Sequence, residues 1–221
     1  SCRKEVLMTE LKILSDPICP WCYIGKTGLD KAMKNFPSEI LNIIWLPFQL
    51  NPDMPKEGME RNSYLSLKFG SSTKATNAYK SIADRLKNDA INCNLSKIKT
   101  TPNTLNAQRL IYWAGIEGCQ TEVVENLFEA YFLYGSDIGD IDSLIQLGKK
   151  SGLSGDLTKR LLESLEDQET IHEIEMQYRK AGIEGVPTFI LNNDFVISGA
   201  QNEEFWIKVL TEILNKNTIL D

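Results

Sequence analysis

Leu11-Lys12-Ile13-Leu14-Ser15-Asp16-Pro17-Ile18-Cys19-Pro20-Trp21-Cys22 joins a short apolar run to a helical pattern that starts at Pro20. The run reads as a strand that ends at Ser15-Asp16-Pro17 and passes through a loop into a helix. Cys19 then stands at the helix N-cap, where unpaired backbone N–H groups and the positive end of the macrodipole favour a thiolate over a thiol. That makes Cys19 the candidate nucleophile. Cys22 lies one turn on, where its sulfur can meet that of Cys19 and resolve a mixed disulfide formed there. Pro20 suits the first helical position, because its missing N–H costs nothing there.

Other chemistries of a C-x-x-C fit this chain poorly. A structural zinc site needs two further ligands at usable spacing, and the remaining candidates are the scattered Cys2, Cys93, Cys119 and the single His172. No metal site is therefore expected. A cysteine protease needs an imidazole beside the thiol, yet His172 falls in an acidic helical stretch with Glu169, Glu173 and Glu175. His172-Glu173 does not extend to H-E-x-x-H either, since Met176 occupies the second ligand position. It reads as a solvated helix-face histidine.

The chain has 221 residues and a net charge of -6, enough length for a full core and the wrong sign for a nucleic-acid or anionic-membrane partner. Five cysteines with one close pair are not the disulfide framework of a small secreted domain. Cys93 and Cys119 are expected to be small buried hydrophobes in helices. No apolar run reaches the roughly 18 residues of a membrane span, and Ser1 to Val6 lack the apolar core of a signal peptide. The expected location is cytoplasmic, or periplasmic if a signal peptide has been removed ahead of Ser1.

Outward from the C-x-x-C, the first helix carries Ile24, Leu29 and Met33 and stops before Phe36-Pro37. Ile40 to Leu50 is a nearly continuous apolar run of the kind a strand buried on both faces shows, which completes a parallel βαβ unit. From about Met59 to Ala181 only helical periods are legible: 63–69, 73–88, 104–115, 121–134, 141–150 and 156–180. Thr104 and Asp156 are expected N-caps, and Gly135, Gly152 and Gly182 expected C-terminal stops. The long last segment aligns Leu157, Leu161 and Leu165 with Ile171, Ile174 and Tyr178 on one side. Strand signals resume at Val186 to Leu191 and Phe195 to Ile197 around Asn192-Asn193-Asp194, a tight antiparallel hairpin, before a helix from Asn202 to Leu214.

A C-x-x-C opening the helix of a βαβ unit, with a later hairpin whose first strand begins Val186-Pro187, resembles the thioredoxin superfamily. The long helical block narrows this to the DsbA family. Its FrnE-like branch is matched by Cys19-Pro20-Trp21-Cys22-Tyr23-Ile24-Gly25, by Pro47 to Pro55, by Asn103-Thr104 with Ala107 and Arg109, and by Gly185 to Phe189 leading to Ile197-Ser198-Gly199-Ala200-Gln201. The resemblance implies an α/β thioredoxin fold with a large all-helical insertion. Residues 9–58 and 182–221 would form the thioredoxin-like domain and 59–181 the helical one. It also implies a cis Val186-Pro187 bond facing the redox pair, with Pro20, Trp21, Val186 and Pro187 meeting the substrate. Trp21 is expected as an exposed aromatic platform for a flexible peptide. Strongly oxidising DsbA proteins carry His where Trp21 stands, so a reductase or isomerase of protein disulfides is the expected activity. Cysteine-containing proteins or peptides would be the partners. No cofactor is implied beyond glutathione or a thioredoxin-type protein as reductant.

The rival class with the same fold is the kappa-class glutathione transferases and 2-hydroxychromene-2-carboxylate isomerases. These resemble the chain around Asn51 and Asn103-Thr104, but they place Ser at the position of Cys19. They also carry a Ser-Asp pair where this chain has Ala200-Gln201.

Overall fold

In the computed structural model, which describes residues 8–219, the opening apolar run is strand β1 (Thr9–Ser15) and the pattern after it is helix α1 (Pro20–Met33). Cys2 lies outside the described residues. Strand β2 (Leu41–Pro47) runs parallel to β1, with Leu11 beside Ile43 and Ile13 beside Trp45, so the βαβ unit is present. There follow β3 (Met59–Glu60), α2 (Arg61–Phe69), α3 (Ser72–Asn88), β4 (Thr100–Thr101), α4 (Leu105–Glu117) and α5 (Gln120–Phe128). Next come α6 (Ile141–Lys150), α7 (Gly155–Glu163) and α8 (Gln168–Lys180), before β5 (Thr188–Leu191), β6 (Phe195–Ser198) and α9 (Glu203–Ile219). The principal sheet has the order β2-β1-β5-β6, with β5 antiparallel to both β1 and β6. Asn192 and Asn193 turn the hairpin at φ of 49° and 62°, the left-handed region that asparagine tolerates.

Alternation along β1 and β5 sends side chains to both faces of the sheet. Leu11, Ile13 and Phe189 belong to the main core, where Phe189 meets Trp206 of α9 edge-on with ring centroids 4.9 Å apart. Leu14 and Ile190 face the other way, with Phe48 and, from α8, Tyr178. Each fully buried aliphatic or Phe side chain contributes about 1.5–3 kcal/mol by leaving water. The seating of α1 depends on two small residues. A Cβ on Gly25 would lie 3.2 Å from Pro187 Cγ, and one on Gly28 would lie 2.5 Å from the Gln201 carbonyl. Glycine there lets α1 approach the hairpin and the start of α9, which brings its N-terminus against Val186-Pro187.

Several expectations are corrected. β2 is an edge strand: Asn42 is exposed, and Ile43, Ile44 and Leu46 are half-buried. Its apolar run survives because α4 and α5 cover the free edge. There the Gln120 amide replaces a neighbouring strand, accepting from Trp45 N–H at 2.8 Å and donating to the Trp45 carbonyl at 3.1 Å. The stretch from Met59 to Ala181 does contain strand, the two-residue ladder of β3 with β4, which is too short to leave a period.

The single helix expected over 156–180 is two helices. Ser164 is extended and Asp167 adopts φ of 61°. The carbonyls freed by the break are taken by Arg109, whose guanidinium donates to Leu161 O, Ser164 O and Glu166 O. The cap of α7 is Ser154, accepting from Leu157 N–H, and not Asp156. Thr104 does occupy the N-cap of α4, but its side chain makes no cap bond. Gly135, Gly152 and Gly182 have positive φ, as helix stops require. Cys93 and Cys119 lie just outside helices and are half-buried, Cys93 in the loop after α3 and Cys119 at the N-cap of α5.

Candidate active site

The turn from β1 into α1 is built by Asp16. Its carbonyl accepts from Cys19 N–H at 2.9 Å, and its Oδ1 accepts from Ile18 N–H at 3.2 Å, fixing the loop that presents Cys19. Cys19 is extended at φ of -82°, Pro20 occupies the first helical position, and the Cys19 carbonyl receives Cys22 N–H and Tyr23 N–H. α1 has no acidic residue in its first turn, so nothing there offsets the positive end of the dipole. Both thiols are free.

Cys19 is only 3 % exposed and Cys22 2 %. The cover comes from the packed core around the pair, including half-buried Val186, whose carbonyl accepts from the Cys19 thiol with sulfur and oxygen 3.7 Å apart. The Val186-Pro187 bond is cis, and Pro187 lies against α1 at Gly25. Cys19, Pro20, Cys22, Val186 and Pro187, separated by more than 160 positions of chain, are therefore brought together. Burial first, and then the neighbouring Cys19 sulfur, push the Cys22 thiol well above its ordinary range, which leaves Cys22 the protonated partner of the pair.

Trp21 is not an exposed platform. It is half-buried and packs with Ile24 of α1 against Ile82 and Leu86 of α3, so it holds the C-x-x-C turn to the helical part of the chain. Tyr23 adds to the same junction by stacking on Phe132 at 5.2 Å. His172 is exposed on α8. Among the described residues no cluster of His, Cys, Asp and Glu is arranged to hold a metal ion.

A polar cluster behind the pair was not anticipated from sequence. The Asp16 carboxylate is 0 % exposed; its Oδ2 accepts from Leu50 N–H at 2.8 Å and from Thr104 Oγ1 at 3.3 Å. None of its donors carries a charge, so burial dominates and raises it from 3.8 to about 6. Gln108 of α4 donates to the Ser15 and Phe48 carbonyls. Glu175 of α8, also buried, accepts from Gln49 N–H at 3.0 Å and pairs with Arg179 at 2.6 Å. The loop after β2 is thereby tied to the C-x-x-C turn on one side and to α8 on the other. The signal in the sequence was the Pro47-to-Pro55 and Asn103-Thr104 motifs, matched earlier by resemblance alone; Thr104 now bonds Asp16, and Asn103 Nδ2 bonds the Met54 carbonyl at 2.7 Å.

A family model for the DSBA-like thioredoxin domain matches residues 10–210. The uncharacterised protein YwbO of Bacillus subtilis strain 168 is 28 % identical over 207 residues, covering 93 % of this chain and 98 % of its own. Among solved structures, a probable DsbA oxidoreductase of Streptomyces coelicolor superposes with a TM-score of 0.82 at 23 % identity, over 94 % of this chain and 90 % of that one. A 2-hydroxychromene-2-carboxylate isomerase gives 0.68 at 16 % identity, over 96 % and 99 %. The cytosolic disulfide reductase DsbM of Pseudomonas aeruginosa, solved with glutathione, also gives 0.68 at 16 %, over 93 % and 99 %. The structural likenesses carry the fold, while the match across nearly the whole length carries the kinship: the chain belongs to the DSBA-like thioredoxin domain family.

Proposed function

We propose that this protein is a thiol-disulfide oxidoreductase that reduces or isomerises disulfides in protein or peptide substrates through Cys19 and Cys22. The observation that carries the reading is one geometry: Cys19 at the N-cap of α1, Cys22 one turn behind it, and the Val186 carbonyl against the Cys19 sulfur. Cys19 attacks a substrate disulfide and forms a mixed disulfide; Cys22 then displaces the substrate thiol. The backbone of Val186, ahead of the cis Pro187, provides a short edge against which an extended peptide can lie.

The reducing direction is supported by Trp21, which places an apolar ring rather than a cationic imidazole next to the thiols. The similarity to a cytosolic disulfide reductase fits that direction and a cytoplasmic location, with glutathione or a thioredoxin-type protein restoring the dithiol. Among the described residues no helix is long and apolar enough to cross a membrane. A FrnE-like placement within the family, and a division at about 59 and 181 into thioredoxin-like and helical domains, belong to the same reading. The transferase or isomerase alternative has less support. Gln201, where those enzymes carry an acid, donates its amide back to the Ser198 and Gly199 carbonyls.

Trapping tests the proposal. Cys22→Ser should accumulate a mixed disulfide at Cys19 and reduce peptide-disulfide turnover to background, because no thiol remains to resolve it. Trapping in Cys19→Ser instead would reverse the roles. Glutathione-dependent turnover of a small electrophile that survives Cys22→Ser would favour the transferase reading.

A further inference from the structure

We propose that Glu175 and Arg179 of α8 are positioning residues for the Cys19–Cys22 couple, acting through Phe48-Gln49-Leu50 to hold the turn that presents Cys19. The inference rests on the redox reading above and gives the helical part of the chain a share in it. Neither residue belongs to the C-x-x-C or to Val186-Pro187. They reach the thiols through an unbroken line of hydrogen bonds.

Three consecutive residues after β2 bond in alternating directions. Phe48 N–H donates to the Ser15 carbonyl at 3.3 Å and Leu50 N–H to Asp16 Oδ2 at 2.8 Å, both toward the turn. Gln49 is held from the other side: its N–H donates to Glu175 Oε1 at 3.0 Å, and its carbonyl accepts from Arg179 Nη2 at 2.6 Å. Arg179 also stands over the Phe48 ring, 3.9 Å from its centroid. The Gln49 carbonyl and the Leu50 N–H share one planar trans peptide and point opposite ways, so fixing the carbonyl on Arg179 aims the N–H at Asp16. Asp16 passes the constraint on, its Oδ1 accepting from Ile18 N–H at 3.2 Å and its carbonyl from Cys19 N–H at 2.9 Å.

The α8 pair is not arranged for its own stability. Glu175 is 2 % exposed, and Gln49 N–H, Arg179 Nε and Arg179 Nη2 all converge on its Oε1. Its Oε2 is buried without a partner. A fork using both oxygens would satisfy the carboxylate better, and apolar residues of similar volume would cost less to bury. The arrangement instead sets Oε1 where it binds Gln49 as well as Arg179. Closing the Cys19–Cys22 disulfide demands a narrow set of geometries, and a turn held within that set closes at a higher effective concentration. Without the pair, the Gln49–Leu50 peptide is free to rotate, the Leu50 bond to Asp16 weakens and the turn before Cys19 loosens.

The test is the equilibrium of the Cys19–Cys22 couple with reduced and oxidised glutathione, quenched in acid, alkylated and counted by mass. Glu175→Ala should lower the constant for closing the disulfide about tenfold, which makes the couple about 30 mV more oxidising. Glu175→Gln keeps an oxygen for Gln49 N–H and should stay within about threefold of the unsubstituted protein. Arg179→Lys, at a side chain 31 % exposed, keeps a charge for Glu175 but loses the fork that also reaches the Gln49 carbonyl, and should lose about threefold. Ile171→Val, a buried change on the same helix, is the control: it should lower the melting temperature and leave the constant within about twofold. The proposal is overturned by an unchanged constant in Glu175→Ala, or in Arg179→Lys should Glu175→Ala not fold. Equal losses in Glu175→Ala and Glu175→Gln, or a loss in Ile171→Val as large as in Glu175→Ala, would overturn it too. Failure of the redox reading would look different: the unsubstituted protein would form no Cys19–Cys22 disulfide at any poise.

Discussion

Cys19 and Cys119 both stand at helix N-caps, and neither side chain makes a capping hydrogen bond. Three positions on, α1 offers Cys22 and α5 offers Glu122. α1 has no acidic residue in its first turn, whereas Glu122 and Glu117 reinforce burial in pushing the Cys119 thiol up. Cys19 has the Val186 carbonyl against its sulfur and a buried polar cluster behind it; Cys119 has exposed carboxylates beside it. A helix N-terminus by itself therefore does not make a redox thiol. On the proposed reading, what sets the Cys19 corner apart is the cysteine at the third position, the absence of a negative charge in the helix's first turn, and a strand end brought in from the other part of the chain.

The largest expected difference between the two corners concerns the carboxyls. Asp16 keeps its proton in the folded chain up to about pH 6, while the unfolded chain releases it near 3.8. The folded state binds more protons in that window, so this group's contribution to stability falls as pH rises through it, by roughly 3 kcal/mol in total. Urea midpoints measured from pH 4 to 7 should show this decline, and Asp16→Asn should remove it. A decline of equal size in Asp16→Asn would assign the effect to other groups.

Next in size is the residue between the thiols. Trp21→His replaces an apolar contact with α3 by an imidazole that, when charged, favours the thiolate. The Cys19–Cys22 couple should become more oxidising by on the order of 30 mV, the two-electron equivalent of a tenfold change in equilibrium constant. A potential that stays put or moves the other way would show that Trp21 acts through packing alone.

The smallest effect tests the bystander corner. Glu122→Gln removes one exposed like charge from Cys119, so iodoacetamide should modify Cys119 about two- to threefold faster near neutral pH, the gain shrinking in high salt. No change would mean that burial alone sets the Cys119 thiol.

The redox turn was legible because its logic is local: cysteine, proline and cysteine within one helical turn after an apolar strand. Val186-Pro187 was legible only through resemblance, since nothing in its own neighbourhood says which helix it will face. The cluster behind the thiols was not legible. Ser15-Asp16-Pro17 reads as a turn, and no local pattern shows that Thr104, 88 positions on, will place its hydroxyl on Asp16. The break between α7 and α8 was missed for a similar reason. The leucine spacing runs on through Leu161 and Leu165, yet Leu165 ends 76 % exposed, because Arg109 of α4 gathers the carbonyls of the intervening turn. Trp21 was misjudged because a single sequence does not show α3 lying over it.

The central claim, that Cys19 and Cys22 alone among the described cysteines form a working redox couple, is tested most directly by equilibrating the protein across a series of glutathione buffers. Each sample is then quenched, alkylated and mapped by mass for every cysteine. The account predicts one two-electron transition in which Cys19 and Cys22 lose their alkylation together through an intramolecular disulfide, while Cys93 and Cys119 remain alkylated throughout. A chain that forms no Cys19–Cys22 disulfide at any poise, or that pairs either of them with Cys93 or Cys119 instead, would contradict it.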